Sequence, residues 1–130
     1  HFVTQKIIRA AARIAGGSTE KLTLGRLDIS RDWGWAEEYV EAMWLMLQQE
    51  TPQDFVIATG VTSSLEDFVN AAFALKGLEW KKHVVQDKAL FRPTDISISK
   101  SDPSLAAKRL GWKATTKMPE LVSKLINESA

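Results

Sequence analysis

The sequence predicts an α/β fold, and three observations carry that expectation. An unbroken apolar run from Asp54 to Gly60 reads as a buried strand, central or parallel in its sheet. It stands between two segments of helical periodicity, Ala36 to Gln48 and the stretch from Leu65 onward, an alternation typical of α/β layering. Glycine and proline then punctuate the chain at intervals suited to short connections, as at Gly16-Gly17, Thr51-Pro52 and Gly111-Trp112.

Taken in order, Phe2 to Ala15 is expected to be a helix, with Val3, Ile7, Ile8, Ala11, Ile14 and Ala15 on one face and Lys6, Arg9 and Arg13 on another. Gly16-Gly17 stops it. Lys21 to Gly25 alternates as a short strand should, and Gly25 allows either a turn or a close backbone approach to a ligand. The stretch Leu27 to Trp35 reads as a loop at a helix mouth. Its Arg31-Asp32-Trp33 has two readings: a loop salt bridge beside a packed tryptophan, or an anion site at a helix start. In the following helix Tyr39, Val40, Met43, Trp44 and Leu47 form the expected buried face, and Glu37 and Glu38 suit the positive end of the helix dipole.

Thr62-Ser63-Ser64 offers a hydroxyl cap to the next helix, whose inward face is Phe68, Val69, Ala72 and Phe73. Lys76 to Lys88 is irregular, with a short strand expected near Trp80 and Val84-Val85 and with His83 exposed or packed rather than catalytic. In Phe91-Arg92-Pro93-Thr94-Asp95, proline drives Arg92 into an extended conformation. Arg92 and Asp95 then either pair across the turn or point together into a site. Ser101 to Leu110 and Pro119 to Asn127 complete the chain as helices, the first with Asp102-Pro103 at its start, the second with Leu121, Val122 and Leu125 inward.

Composition narrows the function. At 130 residues with 45% hydrophobic content the chain has the size of one ordinary domain and enough apolar mass for a core. A net charge of +1 argues against a general nucleic-acid binder. No apolar run approaches the ~20 residues that span a bilayer. The absence of cysteine and the presence of only two histidines leave no thiolate or clustered-imidazole metal site. The chain opens at His1 rather than methionine, so a fragment or processed piece of a longer protein is expected. No G-x-G-x-x-G, Walker loop or G-x-S-x-G occurs, and Tyr39 has Met43 four positions on, so there is no Tyr-x-x-x-Lys couple. The arginines and one lysine suit anion binding; no nucleophile or proton shuttle is visible.

The motifs together resemble a family. Phe2-Val3-Thr4-Gln5-Lys6, Leu24-Gly25, Arg31-Asp32-Trp33-Gly34, Tyr39-Val40-Glu41-Ala42-Met43-Trp44, Phe55 to Gly60 and Phe91-Arg92-Pro93-Thr94-Asp95 are similar, in that order, to GDP-mannose 4,6-dehydratases, within the extended short-chain dehydrogenase/reductase superfamily. The resemblance runs from Phe2 to about Leu125. It implies that residues 1–130 are the C-terminal, substrate-binding portion of a larger cytoplasmic enzyme, a homodimer or homotetramer. A strand and helices of this portion would complete a Rossmann-type sheet. The NADP-binding part and the catalytic residues would lie upstream. By motif position, Val3 and Lys6 would face guanine, with Leu24 and Gly25 contributing backbone nearby. Arg31 and Arg92 would hold the diphosphate of GDP-mannose, and Asp95, where glutamate is common, the ribose. His1 has no implied role. A related GDP-hexose epimerase or reductase and a non-enzymatic α/β interaction domain are the alternative readings.

Overall fold

The computed structural model describes residues 2–129; His1 lies outside them. Five α-helices and four short strands follow the order α1 (Val3–Ala15), β1 (Leu22–Leu24), β2 (Ser30–Asp32), α2 (Ala36–Leu47), β3 (Thr62–Ser64), α3 (Leu65–Leu75), β4 (Val84–Gln86), α4 (Ser104–Leu110) and α5 (Met118–Glu128). Single 3-10 turns at Trp80–Lys82 and Lys88–Leu90 flank β4. The strands make two small sheets, β1 parallel to β4 and β2 antiparallel to β3.

The main core lies among α1, α3 and α5 with β1. Ile7, Ile8, Ala10 and Ala11 of α1, Phe68, Val69, Ala72 and Phe73 of α3, and Val122 of α5 are fully enclosed. The inward face expected of α3 is therefore the observed one. On α1 the stripe holds too, except that Ala10 replaces Ala15, which is exposed. On α5, Ile126 is buried and Leu125 only partly so. Helix α3 begins where predicted: the Ser64 hydroxyl accepts from the Asp67 amide at 3.0 Å, and the Asp67 carboxylate accepts from the Ser64 amide at 3.2 Å. Two further first-turn amides, of Leu65 and Glu66, donate to the carbonyls of Ile29 and Leu27 at 2.8 and 3.0 Å. The groups a helix start leaves unpaired thus tie α3 to the stretch that leads into Arg31.

Several expectations fail, the two largest for nonlocal reasons. The Asp54–Gly60 strand does not form. The run is extended and half covered, with Phe55 and Ile57 packed beside Ala42, Ala106, Trp112 and Ala114, but no backbone lies alongside it to pair with. Its end is held by side chains instead: the Asp32 carboxylate accepts from the amides of Thr59 and Gly60 at 2.9 and 2.8 Å, and the Lys117 ammonium donates to the Thr59 carbonyl at 2.7 Å. Of the buried face assigned to α2, Tyr39 packs inward against Trp112, but the other four residues lie on the exposed face. Val40, Met43, Trp44 and Leu47 are 62%, 57%, 59% and 81% exposed, while Ala42 on the opposite side is enclosed. The inner side is fixed through Glu38, whose carboxylate accepts from the Thr115 hydroxyl and from the amides of Thr115 and Thr116, and whose carbonyl accepts from Trp112 Nε1. Burial pushes the Glu38 carboxyl up, but these donors outweigh it and hold its pKa below the ordinary value. The Leu27–Trp35 loop contains a strand, β2, and the strand expected at Trp80 is a 3-10 turn, with only Val84–Gln86 paired. The last-but-one helix starts at Ser104 rather than Ser101, after Asp102 accepts from the Ser104 amide.

Candidate functional site

The predicted binding residues lie on α1, at the end of β1, in the middle of β2 and in the turn beyond β4. Lys6 projects from α1 and donates through its ammonium to the carbonyl of Thr23 in β1, at 2.7 Å. Val3, half-buried, packs on the core below it. Leu24 is buried, so only its backbone is available, and its carbonyl accepts from the Asp87 amide at 2.8 Å. Gly25 follows at a point where a side chain would collide: an added Cβ would stand 3.0 Å from the carbonyl oxygen of Leu90. That close approach brings the residues just before Arg92 against the end of β1.

Arg31 is central in β2. Ser30 pairs on one side with β3, and on the other its amide donates to Ser97 at 2.7 Å and its carbonyl accepts from Ser99 at 2.9 Å. The Arg31 guanidinium lies over the segment so attached: NH1 donates to the carbonyls of Ser30 and Ile96 at 2.8 and 2.6 Å, and NH2 stands 4.0 Å from Asp95 Oδ1. The Asp95 amide donates to the Arg92 carbonyl at 3.2 Å, closing the Pro93-Thr94 turn. Neither local arginine–aspartate pair forms. Asp32 does not pair with Arg31; it holds Thr59 and Gly60. Asp95 faces Arg31 rather than its own turn's Arg92, whose side chain is exposed. Trp33 is the packing element, tilted on Phe68 with ring centres 5.3 Å apart and donating Nε1 to the Ser63 carbonyl at 3.3 Å.

Contacts therefore run from Lys6 through Thr23 to Gly25, from Gly25 to Leu90, and from the Arg92–Asp95 turn to Arg31. The site is open. A cleft of about 680 Å³ is lined by residues such as Thr59, Gly60, Pro103, Lys108 and Lys117 and includes none of the predicted binders; a smaller one of about 300 Å³ includes Lys6. The Arg31 guanidinium meets the Asp95 carboxylate at the turn that also carries the exposed Arg92, and a guanidinium is suited to a planar, charge-assisted grip on phosphate oxygens. Tyr39 has its pKa pushed up to about 12, first by burial and then by the Asp32 carboxylate. Among the described residues no cluster of histidine and acidic side chains could hold a metal ion, and no helix is long and apolar enough to cross a membrane. Sequence reasoning passed over Arg26, which follows Gly25 and holds Asp28 in a two-pronged contact at 2.9 Å; an arginine directly after Gly25 and two residues before an aspartate is the signal that was available.

Comparison with known proteins gives a consistent picture. A family profile described as GDP-mannose 4,6 dehydratase matches residues 1–125. The chain is 48% identical over 128 residues to GDP-mannose 4,6 dehydratase 1 of Arabidopsis thaliana, covering 98% of this chain and 36% of that protein. It is 40% identical to the human GDP-mannose 4,6 dehydratase, covering 98% and 39%. The chain thus spans well under half the length of these curated relatives. Among solved structures, RMD from Pseudomonas aeruginosa complexed with NADPH superposes with a TM-score of 0.86 at 18% identity, over 98% of this chain and 42% of that one. UDP-glucose 4-epimerase from Bifidobacterium longum, in complex with NAD+ and UDP, gives 0.79 at 18%, over 97% and 38%. At such identities the structural matches establish the fold: part of a Rossmann-type α/β architecture.

Proposed function

This chain belongs to the GDP-mannose 4,6-dehydratase family, and from that premise we propose that it forms the nucleotide-holding side of the substrate pocket in an NADP-dependent enzyme converting GDP-mannose to GDP-4-keto-6-deoxymannose. The observation that carries this reading is the convergence of Arg31 on the Arg92–Asp95 turn, with Arg31 and its anchor at Ile96 standing 65 positions apart in sequence. Arg31 and Arg92 grip the diphosphate from two segments, Asp95 accepts from the ribose hydroxyls, and Lys6 and Val3 meet the guanine. Leu24 and Gly25 offer backbone where the chain is narrowest. Holding this remote end fixes the sugar relative to the reacting groups, which is how binding energy away from the chemistry lowers a barrier.

NADP, when bound, supplies the redox chemistry of the family's reaction. The residues of this chain do not fit a dinucleotide: its seven glycines include no three at G-x-G-x-x-G spacing. The cofactor and the acid–base groups therefore belong to the remainder of the full-length protein, for which a homodimer or homotetramer in the cytoplasm is the implied setting. Residues 1–130 serve as its substrate portion. The outward stripe of α2 and the run at 55–58, which no strand pairs, support this division, since both leave surface for a neighbouring element to cover.

Calorimetry of GDP binding to the full-length protein tests the reading. Arg31→Ala and Arg92→Ala are each expected to weaken GDP by about tenfold to a hundredfold, the worth of a charge-assisted hydrogen bond, with the fold retained. Unchanged affinity in both folded variants sinks the clamp.

A further inference from the structure

The cleft of about 680 Å³ holds no residue assigned to the nucleotide, and its charge is one-sided. Lys108 of α4 lines it, with Lys113 and Lys117 of the segment between α4 and α5, against a single carboxylate, Asp102. Three cations against one anion leave two positive charges, gathered in a chain whose net charge is only +1. Among the described residues none of these lysines forms an ion pair, whereas Arg13, Arg26 and Lys82 each hold a nearby acid. The Asp102 carboxylate is itself engaged, accepting from the Ser104 amide at 2.9 Å.

Lys117 is the most telling member. It is half-buried, and its ammonium donates to the carbonyls of Thr59 and Ala114, at 2.7 and 2.9 Å, both on residues of the cleft wall. An ammonium has three hydrogens to donate. Two go to neutral acceptors, and one remains without a protein acceptor among the described residues. The charge is thus fixed in place at the wall with no counter-ion, which is costly in a partly desolvated setting until an anion completes it. Lys108 and Lys113 are exposed and free to move onto a ligand. Gly60, at a φ of 80°, turns bare backbone to the Pro103 ring, and a Cβ there would lie 3.5 Å from that ring and narrow the cleft.

Charge and size then select a ligand class. A phosphate monoester carries about −1.5 to −2 charges at neutral pH, which matches the two positive charges. Lysine binds phosphate as a point charge and needs no planar fork. Small-molecule sites span about 300–1,000 Å³, so the cleft has room for a body beyond the phosphate, and the Ser104 side chain beside Ala107 and Pro103 offers that body both polar and apolar surface. We propose that the cleft is a second anion site, separate from the Arg31 clamp, which takes the phosphate of a small phosphorylated sugar on Lys108, Lys113 and Lys117. It does not depend on the nucleotide reading above.

Calorimetry on the full-length protein, kept saturated with GDP, tests it with ribose 5-phosphate, ribose and inorganic phosphate as probes. Ribose 5-phosphate is expected to bind with a Kd of about 1 mM or tighter, inorganic phosphate more weakly, and ribose not at all. The double variant Lys108→Gln/Lys113→Gln changes only exposed side chains that make no hydrogen bond among the described residues. It is expected to keep the wild-type thermal transition and to weaken ribose 5-phosphate by about tenfold or more, while Arg31→Ala leaves that affinity unchanged. Failure of ribose 5-phosphate to bind, equal binding of ribose, or a double variant that binds like the wild type overturns the site. Loss in Arg31→Ala but not in the double variant would put the phosphate on the nucleotide clamp and overturn it as well. Inorganic phosphate binding as tightly as ribose 5-phosphate would overturn the sugar-phosphate class.

Discussion

Helices α3 and α2 are similar on paper: each is short, apolar and led by two acidic residues in its first turn. Their fates in the structure are opposite. Phe68, Val69, Ala72 and Phe73 of α3 are fully enclosed by α1 and α5, and the helix start is satisfied by Ser64 and by two carbonyls of the preceding loop. Helix α2 buries Ala42 and leaves Val40, Met43, Trp44 and Leu47 facing outward. An apolar stripe reports that a face is made to be covered. It does not report whether the covering element lies in the same stretch of chain. The α1–α3–α5 core is complete within these residues, and the α2–α4 layer is complete on one side only.

The contrast can be broken at its strongest point by truncating one aromatic in each region. Phe68→Ala should cost about 3–5 kcal/mol in chemical denaturation of the 130-residue chain, the usual penalty for emptying a buried aromatic site. Trp44→Ser in the same chain should stay within about 0.5 kcal/mol. Equal losses would mean that α2 is covered after all, for instance by self-association, and the two regions would not differ as described. A smaller effect sharpens the boundary between them. Asp32→Ala removes the acceptor for the Thr59 and Gly60 amides and should cost about 1.5–3 kcal/mol, with exchange protection lost at those two amides; protection that persists would mean that another acceptor holds the run.

The smallest effect is expected at the inner side of α2 and depends on pH. The Glu38 carboxyl titrates below its ordinary value of 4.5 in the folded chain. Its contribution is therefore fully present above 4.5 and disappears as pH falls through the lower, folded-state value. Glu38→Gln should lower stability at neutral pH, where the contribution is fully present, and flatten that part of the acid-unfolding curve, so that the variant and the parent converge at low pH; an unaltered acid limb would show that Thr115 and Thr116 do not hold the ionised form.

What was legible in the sequence follows the same division. The capping box at Ser64 and Asp67, the α3 face and most of the α1 and α5 faces depend on neighbours within one or two turns, and they were read correctly. The strand at 54–60 was not, because pairing needs a partner that periodicity cannot supply. The β2–β3 pair went unseen because Ser30-Arg31-Asp32 and Thr62-Ser63-Ser64 carry no apolar alternation; their pairing is set by the backbone and by the entry into α3. The binding residues came from family resemblance, and the structure adds what no local spacing contains: Asp95 stands before Arg31, and Asp32, adjacent to Arg31 in sequence, is turned to Thr59 and Gly60.

That last separation makes strand alignment the arbiter of charge. Side chains along a strand alternate between faces, so Arg31 and Asp32 look in opposite directions, the cation toward the 92–96 turn and the anion toward residues 59–60. Ser30, locked to Ser64 on one flank and to Ser97 and Ser99 on the other, sets the frame. A slip of one residue would present a carboxylate where a guanidinium belongs and reverse the charge facing the 92–96 turn with no change in composition. The three serines that pin this small sheet are thus guardians of polarity, although none of them needs to touch a ligand.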